Sequence, residues 1–172
     1  MHSHDLALRL IERFGKTLGL EGLTLEGGTH SCALEFDGSL VVNFEFHEAS
    51  EQMVMTSLLA ALPEDGAEPL LRLLMEANAT DYLQASGLFS VEPQSQGVML
   101  MHAKPVAELD DATFERQVEA FVNKVEMWKQ RVAQILDPAA PVGAIDAAAS
   151  HAGAAAPTRG PERPYDGAHI FG

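Results

Sequence analysis

The stretch CALEFDGSLVVNFEF, residues 32–46, contains two short runs in which every second side chain is apolar. The alternating apolar residues are Cys32, Leu34 and Phe36 in the first run, and Leu40, Val42, Phe44 and Phe46 in the second. Asp37 and Gly38 lie between the runs, and an Asp-Gly pair in this position is the strongest short-range signal for a β-hairpin. The stretch therefore predicts two antiparallel strands.

The sequence before this hairpin predicts a helix and a short strand. Apolar residues recur at spacings of three and four from Leu6 to Leu18, which places them on one face of a helix that ends near Gly19. Leu23 and Leu25 then indicate a short strand, followed by a turn at the two glycines after Glu26.

The sequence after the hairpin predicts two more helices and further strands. The segment 52–62 suits both a strand and a helix, and we favour a strand. Pro69 marks the first turn of a short second helix that should stop near Asn78. Segments 88–92 and 98–104 predict a second hairpin, and an apolar stripe from Phe114 to Ile135 predicts a long final helix.

Together these elements predict an α+β protein in which a twisted antiparallel sheet packs with three helices. The predicted order is α-β-β-β-(β)-α-β-β-α, where one strand is optional. Composition changes at Asp137, after which Ala, Pro and Gly dominate. Such a segment buries too little apolar surface to offset its ordering entropy. We therefore predict one folded domain over residues 1–136 and a disordered tail over 137–172.

The charge of the chain excludes several classes of function. Its 172 residues include 11 basic and 25 acidic residues, a formal net charge of −14. This charge repels phosphate groups and argues against nucleic-acid and anionic-membrane partners. Cys32 is the single cysteine, and we find no signal peptide or membrane span in the sequence. These features predict a cytoplasmic protein.

The motifs of the commonest enzyme classes are missing, and we predict no catalytic residue and no cofactor. The sequence lacks GxxxxGK[ST], GxGxxG, HExxH and GxSxG. His30 and Cys32 need a third ligand to hold a metal, so an exposed turn histidine and a small buried cysteine are favoured. The acidic pair Asp110 and Asp111 suits a helix cap better than acid-base chemistry. No metal site is predicted.

Four segments together resemble a known family. They are IERFG from Ile11 with LGL from Leu18, CALEFDG from Cys32, LLMEAN from Leu73, and the apolar pattern from Phe114 through Phe121 to Trp128. In this order, and in an acidic chain with a long final helix, they resemble class I type III secretion chaperones of the Tir chaperone (CesT) family. The resemblance covers residues 5–136 and does not extend into the tail.

The resemblance implies a homodimer in the bacterial cytosol that binds the amino-terminal region of effector proteins and keeps it export-competent. It implies no ATP use by the chaperone itself, and it makes the ATPase of the secretion apparatus a further candidate partner. In the family the second helix and a neighbouring strand form the dimer interface. This interface falls here on Leu70, Leu71, Leu74 and Met75.

The same resemblance implies that the first helix and the sheet receive the cargo. Helical spacing places Leu10 and Phe14 on one face, and the period of two places Phe44 and Phe46 on one side of the sheet. We expect these four residues to line one cargo groove, with ordinary core packing as the alternative. A regulatory or adaptor protein of the same dimeric fold, which binds a folded partner, is the second functional hypothesis, and an enzyme is the third.

Overall fold

The computed structural model describes residues 3–84 and 86–138, with the backbone alone for residues 81–84. The elements are α1 (Ser3–Thr17), β1 (Ser31–Phe36), β2 (Leu40–His47), β3 (Gln52–Ala61), α2 (Glu68–Gln84), β4 (Leu88–Glu92), β5 (Gly97–Pro105) and α3 (Asp111–Leu136). The five strands form one antiparallel sheet in the order β1-β2-β3-β5-β4. The predicted α+β class with three helices is therefore confirmed for the described residues.

The first hairpin forms around the Asp-Gly pair, as the alternation predicts. Asp37 and Gly38 have φ angles of 51° and 72°, and the N–H of Ser39 donates to the carbonyl of Phe36 across the turn. A positive φ is readily adopted by glycine and is tolerated by aspartate. The segment 52–62 also forms the strand that we favoured, β3.

The short strand predicted at Leu23 and Leu25 does not form. The region makes one isolated β-bridge, between Glu26 and Ser31, although Leu23 and Leu25 are both buried. Their segment lies against the end of α1 instead, where a Cβ atom on Gly15 would stand 2.7 Å from the Cβ atom of Leu23. Packing against a helix buries these leucines without a strand partner, so alternation alone was misleading here.

Helix α2 continues to Gln84 and does not stop near Asn78. Asparagine is disfavoured in helix interiors because its side chain can form hydrogen bonds with nearby backbone groups in place of the helical ones. Here the Asn78 side chain points at β4, where its amide nitrogen donates to the Phe89 carbonyl at 3.0 Å and its oxygen accepts from the Phe89 N–H at 2.6 Å. Because the Asn78 side chain is bound to the backbone of Phe89, it does not compete for the backbone of α2, and the helix continues past it.

Helices α1 and α3 cover one face of the sheet, and the core lies between these helices and the sheet. Its largest fully buried side chains include Phe44 of β2, Phe114 of α3 and Ile11 of α1. Helix α3 ends at Leu136, and most of the predicted tail, 139–172, lies outside the described residues. None of the helices in the described part of the chain is long and apolar enough to cross a membrane.

Candidate functional site

All four residues predicted to contact cargo are buried in the protomer. Leu10 and Phe14 of α1, and Phe44 and Phe46 of β2, each keep 6% or less of their surface exposed. Phe14 and Phe44 meet Phe114 in a cluster whose ring centroids lie 5.5–6.3 Å apart. The structure thus brings the four residues into one core, and direct contact between them and a cargo stays a prediction.

Polar contacts join α1 to the residues that precede β1 and β3 and to α3. Near its start, the Nε2 atom of His4 is 3.1 Å from the Nδ1 atom of His30, and the Ser3 hydroxyl donates to Glu51. Near its end, Arg13 forms an ion pair with Asp111 of α3. Leu8 of α1 is partly exposed and packs against the core.

The two sheet edges differ in how they are covered. At the β4 edge, Asn78 of α2 binds both backbone groups of Phe89, as a neighbouring strand would. Within the described residues, β1 pairs with β2 on one side and carries on its other side the single bridge between Ser31 and Glu26. An edge strand without a partner is a template for another chain. The β1 edge is therefore the part of the sheet that is open to an added strand.

The residues predicted for the dimer interface separate into two pairs. Leu70 and Leu74 are buried in the protomer core, whereas Leu71 and Met75 are 36% and 68% exposed. Leu71 and Met75 are four residues apart and so lie on one face of α2. We call this pair the α2 stripe. It is the part of the predicted interface that a second protomer can reach.

A second exposed apolar surface was missed by the sequence analysis. It lies on the sheet face opposite α1 and α3, and we call it the outer-face patch: Val41, Leu58, Leu88, Met99 and Met101. Leu58 and Leu88 are about half exposed. Cross-strand register pairs Leu58 with Met99 and Leu88 with Met101. The available signal was that β3 and β5 have apolar residues at both alternating positions, whereas a sheet face open to water is usually polar.

The titratable residues that the sequence offered as candidates, Cys32 and Asp110, have structural roles in the fold. Burial, followed by the nearby Glu26 carboxylate, raises the pKa of the Cys32 thiol to about 12. Asp110 caps α3, and its hydrogen bonds to the Thr113 side chain and N–H lower its pKa. Within the part of the chain that the structure describes, no three His, Cys, Asp or Glu side chains converge as metal ligands.

Three solved structures of two-protein complexes contain a chain with the same fold. One chain of the ExsC–ExsE complex superposes with a TM-score of 0.66 at 20% identity, over 75% of this chain and 95% of its own length. A chain of the HopA1–SchA chaperone–effector complex gives 0.64 at 16% identity, over 74% and 95%. Yersinia pestis SycH, a type III secretion chaperone bound to a fragment of YscM2, gives 0.55 at 16% identity, over 71% and 98%.

Sequence comparison gives the family directly. No curated protein sequence matches the chain significantly, but the family model described as "Tir chaperone protein (CesT) family" matches residues 9–129. This range runs from α1 through the whole sheet into α3. The chain belongs to the Tir chaperone (CesT) family.

Proposed function

We propose that this protein is a cytoplasmic type III secretion chaperone that binds the amino-terminal region of one or more effector proteins. Bound to the chaperone, that region stays extended, soluble and competent for export, and the complex is passed to the secretion apparatus and its ATPase. The observation that carries the proposal is the family match over residues 9–129. The ExsC–ExsE and HopA1–SchA complexes support it with the same fold.

The open β1 edge supports an extended mode of cargo binding. A cargo segment added to β1 gains main-chain hydrogen bonds, and its apolar side chains then pack on neighbouring surface, as in β-augmentation. Phe36, the last residue of β1, is partly exposed at this edge. We propose that the buried residues Leu10, Phe14, Phe44 and Phe46 shape the floor of the cargo site.

The α2 stripe supports a homodimer. Leu70 and Leu74 point into the core and Asn78 points at the β4 edge, so the next positions around the helix, Leu71 and Met75, lie on the outer side of that edge. Leu88 of the outer-face patch is exposed on β4 itself. An apolar surface that continues from a helix to an edge strand suits burial against a second copy of the chain.

The negative charge of the chain favours basic cargo segments. A net charge of −14 attracts basic segments and raises their association rate, and it keeps the complex soluble. This preference is electrostatic, so association should slow as the salt concentration rises.

Hydrogen exchange on the purified chain with an effector tests the proposal. The effector is taken from a gene adjacent to that of the chaperone, and its amino-terminal segment and its folded remainder are added separately. We expect stable binding of the segment alone, with slower amide exchange in β1 and unchanged exchange in β4. Binding of the folded part alone would contradict the proposal and support the adaptor hypothesis.

A further inference from the structure

A trough runs between α2, α3 and β5, away from the surfaces proposed for cargo and dimer. Two concavities of about 530 Å³ and 270 Å³ form it, and they share Ser86 and Lys124. Along α3 its lining extends from Gln117 to Arg131, a distance of about 21 Å at 1.5 Å per residue. We call it the α2–α3 trough. Its length corresponds to about four turns of an α-helix.

The trough is positive within an acidic protein. Lys104, Lys124 and Arg131 line it, and among the lining residues whose side chains the structure describes Glu76 is the acidic one. The chain as a whole has 11 basic and 25 acidic residues. At physiological ionic strength charges are screened beyond about 8 Å. A ligand inside the trough therefore interacts mainly with these cations and not with the net charge of the molecule.

Aromatic rings hold two of these cations in place. The guanidinium carbon of Arg131 lies 4.9 Å from the centre of the Trp128 ring. The Lys124 amine lies 5.8 Å from the centre of the Phe89 ring and donates to the Ser86 carbonyl at 3.0 Å. Side chains that are already positioned lose less entropy when a partner binds. The trough is therefore preorganised to receive negative charge.

The trough also offers an apolar contact. Met127 is 53% exposed on α3 and lines the trough beside Trp128, opposite Ala77 of α2. A methionine side chain adapts its shape to varied apolar partners. A ligand that fits both parts of the lining needs carboxylates along one side and large apolar side chains along the other.

The trough and the α2 stripe lie on opposite flanks of α2. Leu73 and Ala77 line the trough, and each lies two residues after a member of the stripe, Leu71 or Met75. Two residues correspond to a rotation of about 200° around the helix axis, which leaves the two flanks about 160° apart. A dimer formed through the stripe therefore leaves the trough open.

We propose that the α2–α3 trough binds an acidic amphipathic helix from another protein. Glutamate or aspartate side chains of that helix pair with Arg131, Lys124 and Lys104, and its apolar face packs on Met127 and Trp128. Seating a helix in a groove between two helices is a recurrent mode of peptide recognition. The proposal does not depend on effector binding, because it uses a surface and a charge preference different from those of the cargo site.

A synthetic peptide tests this proposal with the full chain. The peptide has about 14 residues, with Leu at helical spacing on one face and Glu on the other, and the control peptide has Lys in place of every Glu. Affinity is measured by anisotropy of the labelled peptide. The emission of Trp128, the single tryptophan of the chain, reports whether binding occurs in the trough.

We expect the acidic peptide to bind and to shift Trp128 emission, and the basic control to do neither. Arg131→Glu should weaken binding about tenfold or more, because a like charge replaces an opposite one. The matched control is Lys16→Glu, which makes the same change in net charge at an exposed position outside the trough and should leave affinity unchanged.

Three results would overturn the proposal. The first is no binding, and the second is binding that Arg131→Glu and Lys16→Glu weaken equally. The third is an affinity that rises tenfold or more in the full chain carrying Ile170→Ser and Phe171→Ser, since this would assign the trough to the protein's own carboxyl-terminal segment. Circular dichroism of each variant establishes that the comparison concerns folded protein.

Discussion

At the scale of single residues, Cys32 shows how burial controls reactivity. It lies in β1 with 5% of its surface exposed, and burial, with the Glu26 carboxylate second, raises its pKa to about 12. At pH 8 only about 10⁻⁴ of such a thiol is ionised, and the thiolate is the reactive form. We expect no reaction with a colorimetric thiol reagent in native buffer at pH 8, and one thiol per chain to react in denaturant. Rapid labelling without denaturant would contradict the buried position.

A substitution at Phe46 tests whether this predicted cargo residue belongs to the core. Its ring is 4% exposed, and truncation of a buried phenylalanine removes about 3–5 kcal/mol of stability. Phe46→Ala should therefore lower the free energy of unfolding by this amount in chemical denaturation. Leu18→Ala, at a position 46% exposed and outside the proposed dimer and trough surfaces, is the matched control and should change it by less than about 0.5 kcal/mol. Equal small losses would show that Phe46 is not core.

His102 gives the fold a dependence on pH. It is buried and binds Gln117 at 3.0 Å. Burial is the main cause that lowers its pKa below 6.5, with Lys104 and Lys124 as minor causes, whereas the bond to Gln117 opposes the shift. A histidine whose pKa is lower in the folded state takes up its proton more readily when unfolded, so protonation destabilises the fold.

The stability that neutral His102 contributes is complete above the unfolded pKa of 6.5 and is lost as the pH falls from there towards the folded pKa. We therefore expect His102→Gln to gain stability relative to the native chain between pH 7.5 and pH 5.5, as measured by urea denaturation at each pH. A constant difference between His102→Gln and the native chain would contradict the linkage.

At the scale of elements, the contact between α2 and β4 depends on Asn78. Its side chain satisfies the N–H and the carbonyl of Phe89 on the outer side of the edge strand. Asn78→Ala leaves both groups without this partner, at a cost of about 1–3 kcal/mol, and uncovers an edge that favours association. We expect a lower thermal midpoint and faster aggregation. Asn123→Ala, exposed in α3, should leave both unchanged, and a midpoint unchanged in Asn78→Ala would contradict the role.

Elements whose pattern follows from their own residues could be predicted from the sequence. The hairpin at Asp37 and Gly38 and the stripe of α3 from Phe114 both have the period of the structure they form. The length of α2 could not be predicted, because it depends on a contact between Asn78 and Phe89 across the fold. The conformation around Leu23 likewise depends on the space beside Gly15.

The candidate site could be predicted only in part, for a related reason. The apolar residues predicted for the interface lie on more than one side of α2, so their spacing alone cannot distinguish core residues from interface residues. They are Leu70, Leu71, Leu74 and Met75. The distinction requires knowing where β4 lies, and the hydrogen bond from Asn78 to Phe89 shows that β4 lies along one flank of α2. Exposure of Leu58 and Leu88 likewise becomes visible only when one sheet face is known to lack a helix.

At the scale of the whole molecule, α2 separates three surfaces. Its buried face completes the core, one flank carries the α2 stripe, and the opposite flank forms the wall of the α2–α3 trough. The β1 edge lies at the far side of the sheet. The surfaces that we propose for dimerisation, for cargo binding and for the trough ligand are therefore different parts of the protein, and we expect each to be altered separately by substitution.

The homodimer is tested at the α2 stripe. Leu71→Asp with Met75→Asp places two carboxylates on a surface that we propose to be buried between protomers, at a cost that a dimer interface cannot tolerate. Light scattering should give twice the chain mass of 18.5 kDa for the native protein and a single chain mass for the double variant. Because both side chains are exposed in the protomer, the variant should keep its native circular dichroism spectrum.

Met127→Asp is the matched control for this variant. It introduces the same kind of charge at a methionine that is 53% exposed, but on the α3 side of the trough and away from the stripe. The control should therefore remain a dimer. A native mass near 18.5 kDa at micromolar concentration would contradict the homodimer, whereas a double variant that remains dimeric would place the interface elsewhere, with Leu58 and Met101 of the outer-face patch as the next positions to change.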